Sequence, residues 1–293
     1  MSVAENYAQS SQSDSFSTRL KNWSHYLSWV VVVIALLVLV GWQFDIEFLK
    51  RPLPGLVAMN PLTAFLFILS GLSYLLIASS GLSESKRKVG IFLSFLVVVI
   101  SCFHIIQELF GILFQIDTIL YSERIGQNEG VVSNRMAVNS AVGFVLSGIA
   151  FLMLNFETTS GRVPAQYIAV LISFISLFSI LGYLYRINSY YAYLPYIPMA
   201  VHSALCFLLL SLVILFSNPT RGLMREFTGP FSGSITARIL IPAAIIFPFT
   251  LGFLRLIGHW SGNYSTEFGT ALLIIGITAI FLIFIRYNTV LLN

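Results

Sequence analysis

Charge is scarce in this chain. Asp, Glu, Lys and Arg make up 10% of its 293 residues against 57% hydrophobic, which excludes an ordinary soluble domain. Cysteine is nearly absent. Cys102 and Cys206 both fall inside apolar stretches, so they read as packed thiols rather than as a disulfide. The sequence holds no Walker loop, no HExxH, no GxSxG and no cysteine pair at metal-ligand spacing. Machinery for catalysis on a soluble substrate is therefore missing, and the chain is not expected to be an enzyme. Residues 1–22 are polar and Ser-rich, without an early apolar core or a cleavage pattern. They read as a disordered cytoplasmic tail.

What remains is a set of apolar runs, each long enough to cross a bilayer. They fall near 26–42, 60–79, 89–113, 137–155, 165–185, 198–217, 236–257 and 267–287. The expectation is an all-α integral membrane protein. Residues 23–293 would form eight transmembrane helices, as four tandem parallel hairpin repeats over about 26–79, 89–155, 165–217 and 236–287.

Two recurring signatures support the repeat. The first runs bulky, Gln or Arg, apolar, then usually Asp or Asn. It appears as Trp42-Gln43-Phe44-Asp45, Phe114-Gln115-Ile116-Asp117, Tyr185-Arg186-Ile187-Asn188 and Leu254-Arg255-Leu256-Ile257, with second positions 72, 71 and 69 residues apart. The second is Met59-Asn60-Pro61-Leu62-Thr63-Ala64, Met136-Ala137-Val138-Asn139-Ser140-Ala141 and Met199-Ala200-Val201-His202-Ser203-Ala204, worn down to Gly269-Thr270-Ala271 in the fourth copy. A fixed period means one supersecondary unit used several times. The first signature closes each outward helix and the second opens each returning one, so both meet at one depth. Thr63, Ser140, Ser203 and Thr270 are expected to satisfy first-turn amides. Gly71 and Gly148 leave room for close helix approach.

Lys and Arg placement sets orientation. Ten lie on the side of Arg19, Lys21, Lys86-Arg87-Lys88, Arg162, Arg221, Arg225, Arg238 and Arg286. Six lie on the side of Lys50, Arg51, Arg124, Arg135, Arg186 and Arg255. Both termini are thus expected in the cytoplasm, with the signatures near the outer leaflet and Lys50-Arg51 pulling the other way. The net charge of +4 suits loops facing anionic lipid and needs no nucleic-acid partner.

Ionisable and polar groups within such helices are the candidate site. Asn60, Asn139 and His202 are polar readers at helix starts, Arg186 and Arg255 are clamps for an anion or carbonyl, and Glu108 is the counter-charge. The competing structural reading pairs Glu108 with Arg255 or Arg186 and assigns it helix register alone. His104 and His202 lie at comparable depth, which makes a bis-imidazole haem conceivable. His202 with Cys206 supplies too few ligands for a metal site. Six tyrosines within 183–196 exceed what an interfacial belt needs and mark a candidate lid. The 114–135 connection, with Glu123, Arg124, Asn128 and Glu129, is the longest on that side.

The runs Met59–Ala64, Phe114–Asp117, Gly182-Tyr183-Leu184-Tyr185, Pro198–Ala204, Arg221-Gly222-Leu223 and Gly252–Leu256 together resemble a bacterial family. It comprises the multi-helix (MASE-like) membrane input regions of sensor and hybrid histidine kinases and of some diguanylate cyclases. The resemblance covers roughly residues 30–293. It implies sensing at the inner membrane within two-component signal transduction. It also implies a last helix that runs on into a cytoplasmic output domain beyond Asn293, and a homodimer formed through that output. Arg186 departs from the pattern, where a small residue fits better. The stimulus is not implied by the family.

The expected function is a membrane sensory domain reading a small molecule, a lipid or a membrane property at an outer-leaflet polar cavity. The alternatives are a haem- or quinone-binding redox protein, and a transporter or lipid-modifying enzyme. Parallel repeats weigh modestly against alternating access, which many transporters build from inverted ones.

Overall fold

The computed structural model describes residues 3–53, 56–79, 83–111, 116, 135–185, 199–230, 232–262 and 265–292. Its regular elements are all helices. In chain order they are α1 (Val3–Phe44), α2 (Glu47–Lys50), α3 (Pro61–Ala78), α4 (Glu84–Phe110), α5 (Val138–Leu152), α6 (Pro164–Leu184), α7 (Val201–Ser217), α8 (Gly222–Thr228), α9 (Ser232–Trp260) and α10 (Thr266–Leu292). Six of these are long and apolar enough to cross a membrane, or seven if α7 and α8 form one broken span. Helix α5 has 15 residues and rises about 22 Å at 1.5 Å per residue, short of a bilayer core of about 30 Å.

The first helix is longer than its apolar run. Composition assigns residues 1–22 to a disordered tail, yet α1 is helical from Val3. A helix already nucleated by its apolar span can propagate into a polar segment at little cost per residue.

The chain divides into two compact units, 17–224 and a second comprising 1–16 with 225–293. In the 17–224 unit, α3, α5 and α7 touch one another, α5 packs on α4 and α7 on α6, and α3–α4 and α5–α6 are also in contact. Helix α1 lies on α3, where the Ser28 hydroxyl donates to the Gly71 carbonyl at 2.9 Å. Helices α1, α4 and α6 thus accompany a core of α3, α5 and α7.

At the centre of that core three rings meet. Phe67, Phe144 and Phe207 have centroids 4.6, 4.7 and 4.7 Å apart, and each is almost fully buried. Each stands eight residues beyond the Met that opens its signature, Met59, Met136 or Met199. Apolar lipid supplies no hydrophobic drive for helices to associate, so tight packing of this kind carries the assembly. Four residues further on, Gly71 and Gly148 admit their neighbours closely. A Cβ on Gly71 would meet Val32 Cγ2 at 2.5 Å, and one on Gly148 would meet Val98 Cγ2 at 2.5 Å. The expected role of both glycines is met.

The second unit is built on the α9–α10 pair, with Phe247 and Phe284 edge to face at 5.7 Å. Pro242 and Pro248 lie inside α9. Arg238 donates to the carbonyls of Phe227, Thr228 and Gly229 at 2.8, 2.8 and 3.0 Å, satisfying the end of α8. Its guanidinium also lies 4.5 Å from the ring centroid of Phe16, which packs on Phe227.

Candidate functional site

Three carbonyls just before the N-caps of α3, α5 and α7, outside the helical ladder, and that of Thr266, the first residue of α10, each accept a side-chain bond. The four carbonyls stand four residues before Thr63, Ser140, Ser203 and Thr270. In each case a side chain of the preceding long helix supplies the bond. Trp42 Nε1 donates to Met59 O at 2.8 Å, His104 Nε2 to Met136 O at 2.9 Å, Tyr183 Oη to Met199 O at 2.8 Å and Arg255 Nη2 to Thr266 O at 3.3 Å. Different residue types can serve here, since a carbonyl asks only for a donor that reaches it; Thr266 O also accepts from Thr270 Oγ1 at 2.8 Å.

The expected site residues take the following places. Asn60 is buried and is the N-cap of α3, its side-chain oxygen accepting from Leu62 N at 2.8 Å. Pro61 at the first helical position fixes this start, so the cap falls on Asn60 and not on Thr63 three residues later. Thr63, Ser140 and Ser203 are buried inside the first turn, and α5 and α7 have no side-chain cap bond. Asn139 lies half-buried on the first turn of α5, its Oδ1 accepting from Ser140 N at 3.0 Å. His202, half-buried, is the second residue of α7, and its Nδ1 is a buried atom without a hydrogen-bond partner.

Glu108 forms its ion pair with Arg135, both side chains a little over one-quarter exposed. This corrects the register reading that joined it to Arg255 or Arg186. Arg135, three residues before α5, lies beside the end of α4 because the two helices form one hairpin. Arg255 turns to its own hairpin instead, donating to Thr270 Oγ1 at 2.9 Å as well as to Thr266 O. Arg186 lies outside the described residues, as do most of the candidate lid and of the 114–135 connection.

His104 has a structural bond that the haem reading did not include. A carbonyl only accepts, so the bond to Met136 O puts the proton on Nε2 and leaves Nδ1 as the second ring nitrogen. Among the described residues no group of three or more His, Cys, Asp or Glu could hold a metal. Cys102 and Cys206 are both free.

Several functional candidates were not singled out from sequence. The buried face of α4 is mostly polar, comprising Gly90, Ser94, Val97, Ser101, His104 and Gln107. Ser94 meets Ser73 on α3, whose hydroxyl donates to Gly90 O at 2.8 Å. Further along, Ser101 Oγ, His104 Nδ1 and both amide atoms of Gln107 are buried without a hydrogen-bond partner. Spacings of seven, three and three along an apolar helix were a legible signal for this stripe. Lys50 was also missed. It is 2% exposed, paired with Asp45 and Glu47, with its ammonium 5.0 Å from the Trp42 ring centroid. The Lys50 carbonyl accepts from Met59 N at 3.0 Å, so Met59 is held on both sides.

Comparison with protein-family models, with characterised proteins and with solved structures finds no match to this chain. The class that the fold itself defines is an all-helical protein of membrane-spanning character.

Proposed function

We propose that the chain is a membrane-embedded sensory domain. It reads a ligand or a state of the bilayer at the end where the signatures converge. Occupancy there favours one arrangement of the hairpins over another, and α10 carries the difference to a cytoplasmic output domain, in the manner of histidine-kinase input regions. In this proposal the four hairpins are copies of one unit and eight segments span an inner membrane. Both termini are cytoplasmic, the signature end faces outward, and two copies pair through the output.

The observation that carries the proposal is the run of buried, unpaired polar atoms from Ser101 to Gln107, ending at the Glu108–Arg135 ion pair. Polar groups at such depth are costly unless they serve something, and a merely structural helix would be apolar there. The order and spacing of the signatures add the family resemblance. The side-chain bonds to the carbonyls of Met59, Met136 and Met199 support the repeat.

The test is a fusion of the full chain through α10 to a histidine-kinase core, reconstituted in vesicles and read by autophosphorylation. Glu108→Gln and His202→Ala are expected to move the kinase between its low and high states. A kinase rate indifferent to both, in a chain that still folds, would sink the sensory reading.

A further inference from the structure

We infer that the face of α4 formed by Ser101, His104 and Gln107 binds a neutral guest that carries a hydroxyl or amide group. This deepens the sensory proposal by naming the ligand chemistry of its site, and it rests on that proposal only for what binding then does.

The buried polar atoms on this helix divide into two groups. At Ser94 they are satisfied, by Ser73 and through it by the Gly90 carbonyl. Between 101 and 107 four atoms have no partner: Ser101 Oγ, His104 Nδ1, Gln107 Oε1 and Gln107 Nε2. Their residues are 0, 1 and 4% exposed, so bulk water does not reach them. A well-packed interior leaves few such groups, and here they cluster within seven residues on one face. A guest that meets them is the simplest physical account of their being there.

The chemistry of the guest follows from the atoms. His104 Nε2 is committed to Met136 O, so in the neutral imidazole Nδ1 offers a lone pair and needs a donor. The Gln107 amide offers one acceptor and two donor hydrogens, and the Ser101 hydroxyl offers one of each kind. A hydroxyl or a primary amide both gives and takes, and so fits all three. The three side chains carry no net charge in this tautomer, and the neighbouring Glu108 and Arg135 neutralise each other. An anion or a cation would therefore enter without a counter-charge, which a dry interior disfavours. From 101 to 107 the helix rises about 9 Å, so the four atoms are spread along the axis over a distance that a few heavy atoms or a short file of water would span.

Water and a hydroxyl-bearing lipid headgroup or small molecule share this chemistry, and one experiment separates them. The full chain, labelled with ¹⁵N in histidine, is placed in vesicles of phosphatidylethanolamine and phosphatidylglycerol and observed by solid-state NMR. The expected result is a His104 Nδ1 resonance shifted away from that of a bare imidazole acceptor, with magnetisation reaching it from guest protons. Transfer lost in deuterated water identifies water. Transfer lost in headgroup-deuterated lipid identifies a lipid, and transfer surviving both identifies a co-purified molecule. Each supports the site. Gln107→Leu and Ser101→Ala are expected to lose that transfer, and full transfer in both variants would move the guest off this face. A bare Nδ1 in the wild-type chain would overturn the inference outright. It would leave the sensory proposal to the kinase fusion, which reads output and not occupancy.

Discussion

The rings of Phe67 and Phe144 lie with their centroids 4.6 Å apart, each eight residues beyond its signature Met, in α3 and α5. Phe207 completes the cluster from α7, 4.7 Å from each. Truncating one ring removes packing from two partners at once, and a membrane interior offers no water to compensate. Phe144→Ala is expected to lower stability by about 3–5 kcal/mol and Phe144→Leu by clearly less. Reversible unfolding in mixed micelles checks this. Equal effects of the two variants would show that the cluster is not the packing centre.

Helix location was largely legible in the sequence because apolar length alone decides it. The run at 60–79 is Pro61–Ala78, and the run at 165–185 is Pro164–Leu184. Gly71 and Gly148 were legible for the same reason: small residues in apolar helices mark close approach. The Phe cluster was available as three identical residues at one register and was overlooked. What the sequence hid is side-chain partnership. The partner of Glu108 is Arg135, 27 residues later and across a long connection, and no local spacing points to it. The donors Trp42, His104, Tyr183 and Arg255 share one role but neither residue type nor register, so alignment cannot see them. The capping role of Asn60, whose Oδ1 accepts from Leu62 N, was hidden too, because it depends on Pro61 setting where the helix begins.

The helix-start bonds give a second prediction. Trp42 is 1% exposed, and Trp42→Phe keeps most of its ring while leaving the Met59 carbonyl without its indole donor. Tyr183→Phe does the same to Met199 O by removing a single oxygen. Each is expected to cost about 1–3 kcal/mol, the penalty of a buried acceptor left without its donor. The two bonds belong to different hairpins, so the double variant is expected to be additive within about 0.5 kcal/mol. Strong coupling would mean that the two hairpin ends form one cooperative element.

The Glu108–Arg135 pair is partly solvent-exposed and joins the two ends of one hairpin. Its coupling energy in a double-mutant cycle of Glu108→Gln and Arg135→Gln is expected to be about 1 kcal/mol or less, after allowance for screening. The effect should shrink as salt rises, because about a quarter of each side chain remains in reach of counter-ions. A cycle showing no coupling at low salt would mean that the pair contributes nothing to stability and serves only the site.

Gln166 is fully buried at the opposite end of the 17–224 unit, where α7 gives way to α8. Its Nε2 donates to Asn218 O and Arg221 O, each at 3.1 Å, and its Oε1 accepts from Met224 N at 3.3 Å. One side chain thus satisfies three backbone groups of a turn that has left its helix. Asn218 extends the tie, its Nδ2 donating to Leu154 O at 2.8 Å after the end of α5. The turn is tight as well. A Cβ on Gly222, at φ +56, would meet Gln166 Oε1 at 2.5 Å, so only glycine fits between the amide and the chain. Gln166→Leu fills similar volume but removes the side-chain partner of all three groups, of which the bond to Met224 N is buried and the two carbonyl bonds part-buried. The expected loss is about 2–4 kcal/mol, with faster proteolysis between 218 and 224 as the turn opens. Gln166→Glu keeps the acceptor for Met224 but replaces the donor to Asn218 and Arg221 with an oxygen that repels both carbonyls. It should therefore be no milder than Leu at neutral pH. If Gln166→Glu were as stable as the parent chain, the donor bonds would carry little and the turn would be held by packing alone.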